Sequence, residues 1–115
     1  MAERDDLLAE LEILSAGYAA ALPQKLATIE QAWGQLLGDR WNEEGFHELH
    51  RLVHSLGGSG KTFGFAKVGD VAHELDLCFK LIAEAKRAPD AEQGRRIRDL
   101  LDKLRQAGRQ GNGSA

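Results

Sequence analysis

The side chain best equipped for chemistry in this chain is His54, and the stretch it opens is unusual. It reads His54-Ser55-Leu56-Gly57-Gly58-Ser59-Gly60-Lys61-Thr62-Phe63-Gly64-Phe65. The surrounding pattern is helical, yet Gly57, Gly58, Gly60 and Gly64 each cost about 1 kcal/mol against Ala in a helix interior. A local rule broken without local gain marks a place where function is expected. An imidazole with an ordinary pKa of about 6.5 offers a neutral, nucleophilic ring nitrogen near neutral pH. Attack on a phosphoryl centre needs a nearly in-line approach, so exposure matters more than a deep pocket. Lys61 and Arg51 are the cations close enough in sequence to offset charge on phosphoryl oxygens. Gly57 and Gly58, about one turn on, leave low ground through which another protein can reach the ring.

A second chemistry competes for the same stripe. His47, His50 and His54 are spaced by three and four residues, and two histidines at such spacing can chelate a metal. A closed structural site takes four ligands, and Glu43 is the only further donor the pattern suggests. The expectation is therefore that His47 and His50 flank the site as surface residues and that this chain holds no metal. His73, farther on, reads as a boundary residue.

These residues need helices to position them. At 115 residues, with one cysteine, two prolines and a formal net charge of −3, the chain is one domain with a single core. The absence of alternating Val/Ile/Thr-rich runs favours an all-helical fold. The slightly acidic balance gives no reason to expect nucleic acid. No stretch approaches the roughly 20 apolar residues of a membrane span. No leader opens the chain, and Cys78 reads as a reduced core thiol, so a cytoplasmic location is expected.

Leu7, Leu11, Leu14 and Tyr18 lie on one face of a first helix. Leu22, Leu26, Ile29, Trp33, Leu36 and Leu37 continue the spacing, and Pro23 falls between the runs, opening a second helix or kinking one long one. Gly38-Asp39 reads as a stop, and Asn42 as the next N-cap. The third helix carries the seam Phe46, Leu49, Val53, Leu56, Gly60 and Phe63, with Gly64 as its end signal. From about Lys67 a fourth carries Val68, Val71, Ala72, Leu75, Cys78, Phe79 and Ile82. Pro89 marks the next turn, and a fifth helix carries Ile97, Leu100, Leu101 and Leu104. Its remaining charges read as a solvated face.

Stripes of this kind and short connections predict an antiparallel up-down-up-down four-helix bundle with an additional short N-terminal helix capping one end. The bundle is expected over residues 1–108, with a disordered tail over residues 109–115. Because each helix uses its one stripe in the bundle, a monomer is expected. Phe63 and Trp33 read as core, Phe65 as a cap on the bundle end. By helical rotation of about 100° per residue, His54 points roughly 130° away from the middle of its helix's core seam, toward water or a partner.

Val53-His54-Ser55-Leu56-Gly57-Gly58-Ser59-Gly60, with Phe63-Gly64-Phe65 and Val68 following, resembles the signature of the histidine-containing phosphotransfer (HPt) family. Ala72-x-x-Leu75-Asp76 resembles the Ala-x-x-Leu-acidic segment on that family's next helix. The resemblance implies a helical bundle whose exposed His54 carries a phosphoryl group. It also implies exchange of that group with an aspartate of a response-regulator receiver domain in a phosphorelay, or with a histidine kinase. One position departs from the pattern: the family usually has Lys three residues after the histidine, and here that residue is Gly57. Lys61 is the substitute the spacing offers. No nucleotide-binding loop is visible, so the chain reads as a phosphocarrier rather than an enzyme, with any Mg2+ arriving on the receiver. Two other functions fit the residues less closely: a module that docks a receiver or kinase without accepting phosphate, and a metal-binding bundle on the His47/His50/His54 stripe.

Overall fold

The computed structural model describes residues 2–37 and 40–110. They form four helices: α1 (Ala2–Leu36), α2 (Glu43–Thr62), α3 (Ala66–Ala85) and α4 (Ala91–Arg109). No strand occurs among the described residues. Helix α2 packs on α3, α3 on α4, and α1 on both α2 and α4, which closes a ring around one core. Along α2 and α3 the contacts run in opposite order: Phe46 meets Phe79, His50 meets Asp76, and Gly60 lies against Gly69.

The core is filled by the expected stripes. Leu22, Leu26, Ile29, Trp33 and Leu36 from α1 are buried, with Phe46, Leu49, Val53 and Leu56 from α2. Val68, Ala72, Leu75, Phe79 and Ile82 from α3 meet Ile97, Leu100, Leu101 and Leu104 from α4. Trp33 stacks on Phe79 at 5.8 Å and meets Trp41 edge-on at 6.5 Å. Phe65 is buried, whereas Phe63 is only half-buried and stacks on Tyr18 at 4.9 Å. Val71 and Cys78 sit at the core's margin rather than inside it.

The expected separate N-terminal helix is not found. Residues 2–36 form one helix with Pro23 inside it. Proline removes one N–H, but the buried stripe on both sides of it, Leu22 and Leu26, holds the axis through the gap. Nor does the first half cap the bundle. Tyr18 is level with the end of α2, where its hydroxyl shares a 2.9 Å hydrogen bond with that of Ser59. Of residues 5–17 none is buried, and Leu7, Leu11 and Leu14 are 65%, 49% and 58% exposed. A 35-residue helix is about 52 Å long and its 20-residue neighbours about 30 Å, so the leucines run on past the bundle. The premise behind the monomer expectation, that every stripe is used in the bundle, does not hold for this half of α1.

Local signals fix the other ends. Asn42 caps α2 by accepting from the Gly45 N–H at 2.6 Å. Gly64 takes a φ of 89°, which lets the Phe65 N–H reach the Gly60 carbonyl at 2.7 Å and ends α2. Asp90 and Gln93 form a reciprocal capping box on α4. Arg109 is still helical, one residue past the expected end of the bundle. The expected stop at Gly38-Asp39 and residues 111–115 of the expected tail lie outside the described residues.

Candidate functional site

His54 sits on the outer wall of α2 with its side chain 75% exposed. Its ring is not free to turn, because Nδ1 lies 2.7 Å from Oδ2 of Asp76 on α3. The other oxygen of that carboxylate, Oδ1, lies 2.6 Å from Nε2 of His50, one turn earlier on α2. Asp76 is thus clasped by two imidazoles, and only 19% of its side chain is exposed.

Burial of Asp76 works to raise its pKa. Hydrogen bonds to His54 and His50, together with their charge, outweigh that effect, and the pKa lies below the ordinary 3.8. Near neutral pH the carboxylate is therefore ionised and can only accept. Nδ1 of His54 must be the protonated nitrogen of a neutral ring. The lone pair is then on Nε2, which has no partner among the described residues.

A shallow hollow surrounds this ring, lined by His54, Gly57, Gly58, Lys61, His73 and Asp76. The glycines in and beside it have different tasks. A Cβ at Gly60 would lie 2.9 Å from the backbone nitrogen of Gly69, so this position lets α2 and α3 approach. A Cβ at Gly57 would make ordinary contacts, 3.8 Å from the His73 nitrogen and 3.9 Å from the Gly69 oxygen. A Cβ at Gly58 would meet nothing within 4 Å. Nothing inside the described chain requires glycine at Gly57 or Gly58.

The sequence-predicted residues divide accordingly. Lys61 reaches the hollow, and its ammonium is 3.5 Å from Asp70, with both side chains more than half exposed. Arg51 does not reach it: its guanidinium pairs with Glu48 at 2.7 Å on open surface. His47 is exposed and lines a different hollow, beside Trp41 and Glu43. His50, expected as a bystander, turns inward to Asp76 and packs against both the Phe46 and Phe79 rings, at 6.0 and 5.8 Å. His73, expected as a boundary residue, stands on the rim of the hollow. Among the described residues no group of three or more His, Cys, Asp or Glu is arranged to hold a metal ion. Sequence reasoning missed the direct contact of Asp76 with His54. The register set by Gly60 against Gly69 is the signal that places those two side chains opposite each other.

The model of the Hpt domain matches residues 14–107. The chain belongs to the Hpt family. Searches among curated proteins and among solved structures return no match. Hpt membership implies histidine phosphotransfer in phosphorelay signalling, performed by phosphocarriers rather than by enzymes with a catalytic site of their own, and partners of the response-regulator or kinase type. The Hpt match begins at Leu14, just before the half of α1 that packs in the bundle. No helix among the described residues is long and apolar enough to cross a membrane.

Proposed function

We propose that this Hpt domain, an antiparallel up-down-up-down bundle, carries its phosphoryl group on Nε2 of His54. The partner is the phosphorylated aspartate of a receiver domain or a hybrid kinase. The observation that carries this reading is the exposed ring whose Nδ1 is engaged by Asp76, which leaves Nε2 as the outward lone pair. Nε2 attacks phosphorus in line, the N–P bond forms, and the P–O bond to the receiver's aspartate breaks. The aspartate leaves as a carboxylate. The ring keeps its Nδ1 proton, and the positive charge it gains faces ionised Asp76. The reverse step returns the group to a receiver, and any Mg2+ comes bound to that partner.

Lys61, rather than Arg51, is the cation for the phosphoryl oxygens. It lines the hollow, and its pairing with Asp70 is solvent-exposed and therefore weak. A Cβ at Gly57 would make only ordinary contacts with α3, so the backbone there accepts a side chain in the family's usual lysine place. Gly57→Lys is thus expected to fold and to bring a second cation to the hollow.

The test is incubation with a panel of phosphorylated receiver domains. An acid-labile adduct on the wild-type chain, absent from His54→Gln, supports the reading. Receivers that bind equally to both proteins and label neither would instead make this a docking module.

A further inference from the structure

We infer that His50 is a positioning residue for phosphotransfer: it holds the Asp76 carboxylate at the angle that keeps the proton of His54 on Nδ1 and the lone pair on Nε2. The inference rests on the phosphocarrier reading and adds to it a residue that never touches the phosphoryl group.

The argument starts from which of the three side chains is fixed by something else. His54 is 75% exposed, and no ring contact among the described residues braces it. The Asp76 carboxylate turns about its last torsion, which is broad and roughly two-fold, so it rotates easily unless both oxygens are held. His50 is 21% exposed. Its ring stands edge-on to Phe79, with an interplanar angle of 89°, and tilts against Phe46. Both of those phenyl rings are core residues. The order of rigidity therefore runs from the core through His50 to Asp76 and only then to His54.

The atoms used agree with that order. His50 approaches Oδ1 through Nε2 at 2.6 Å, and His54 approaches Oδ2 through Nδ1 at 2.7 Å. Each oxygen has its own imidazole, so the two rings do not compete. An ionised carboxylate can only accept, so His50 donates its Nε2 proton. That bond fixes the plane of the carboxylate and with it the direction from which Oδ2 meets His54. Without it the carboxylate can rotate, the Nδ1 contact is shared among orientations, and the His54 proton can move to Nε2. The lone pair then faces the protein rather than the partner. His50 itself is a poor acceptor of phosphate, because its Nε2 is already committed and its ring is shielded.

The experiment compares wild type, His50→Phe and His50→Gln in two measurements. The first is 15N NMR of the His54 ring with no phosphoryl donor present, at a pH where the ring is neutral. Wild type is expected to show Nδ1 protonated and Nε2 bare. In His50→Phe, which keeps an aromatic ring against Phe46 and Phe79, the proton is expected to shift toward Nε2. His50→Gln, whose amide can donate to Oδ1, is expected to restore the wild-type pattern. The second measurement is the rate of phosphoryl transfer from a saturating receiver. It is expected to fall ~10-fold or more in His50→Phe, with the half-saturating receiver concentration unchanged, and to recover in His50→Gln. A wild-type nitrogen pattern in His50→Phe, or a Gln variant as impaired as the Phe variant, overturns the inference. Failure of every receiver to label the wild-type chain sinks the phosphocarrier reading, while the NMR comparison still decides whether His50 sets the tautomer.

Discussion

Gly58 and Gly60 are two residues apart on the same helix, and the same atom added to each would meet opposite surroundings. At Gly60 it would press on the backbone of α3 at 2.9 Å, and at Gly58 it would find nothing within 4 Å. The two halves of α1 repeat the contrast with leucines. Leu22 is 2% exposed against the bundle, while Leu11, on the same stripe further out, is 49% exposed. In both pairs the residue type and spacing are alike, and only what lies across from them differs. Periodicity therefore reports which face a residue is on, and packing decides whether that face has a neighbour.

The leucine pair gives the largest effect by which this contrast can be broken. Leu22→Ala is expected to lower stability by about 2–5 kcal/mol, the usual range for emptying a packed core position. Leu11→Ala should stay within about 0.5 kcal/mol of wild type, as surface changes do. Urea unfolding of both variants measures the difference. A comparable loss at Leu11 would mean that the outer half of α1 has a neighbour after all, and its dependence on protein concentration would show whether that neighbour is a second copy.

Next in size is Gly60→Ala. The new methyl gains about 1 kcal/mol of helix propensity, but it forces α3 away from a backbone contact, which costs about 1–3 kcal/mol. The expected net result is destabilisation in the same unfolding assay. An Ala variant as stable as wild type would show that the α2–α3 seam is looser than the 2.9 Å approach implies.

Much of this was legible in the sequence. Leu49, Val53, Leu75, Phe79, Ile97 and Leu101 are buried where the stripes place them, and His54 is exposed as the helical rotation predicts. The cap at Asn42 and the stop at Gly64 followed from residue type alone. What stayed hidden is what depends on two helices at once. The outer leucines of α1 have a stripe but no partner among the described residues, so their pattern suggested a separate packed helix where there is only the exposed end of α1. The three-residue spacing groups His47 with His50, but His50 lies about 60° nearer the core seam, and Asp76, which it meets, comes from α3. Gly57, Gly58 and Gly60 read as one cluster until Gly69 distinguishes Gly60 from the other two.

The polar edge of the same seam gives a test by pH. The Asp76 pKa is lowered in the folded protein relative to its ordinary 3.8, so the folded state binds fewer protons than the unfolded chain through this range. Its contribution is complete above 3.8 and is lost as pH falls through the native value. Wild type should therefore be more stable than Asp76→Asn near neutral pH, and the gap should close on acidification below 3.8 in thermal melts. A gap that persists in strong acid would assign the loss in the Asn variant to altered packing rather than to the charge clasped by His50 and His54.

The smallest effect is expected at Gly58, and it has the opposite sign from that at Gly60. Gly58→Ala places a methyl in open space, so only the helix-propensity term remains and the protein should gain up to about 1 kcal/mol. A position that weakens the fold when it could strengthen it, with no internal contact demanding glycine, has its reason outside the folded chain. In the phosphocarrier reading that reason is the receiver's approach to His54 across the hollow that Gly58 helps to line. Enlarging the side chain from Ala to Phe should leave the fold intact while transfer to His54 slows stepwise, with the half-saturating receiver concentration rising. If Gly58→Phe accepted phosphoryl groups as fast as wild type, the open ground beside His54 would have no part in recognition, and Gly58 would lose the contrast with Gly60 that gives it meaning.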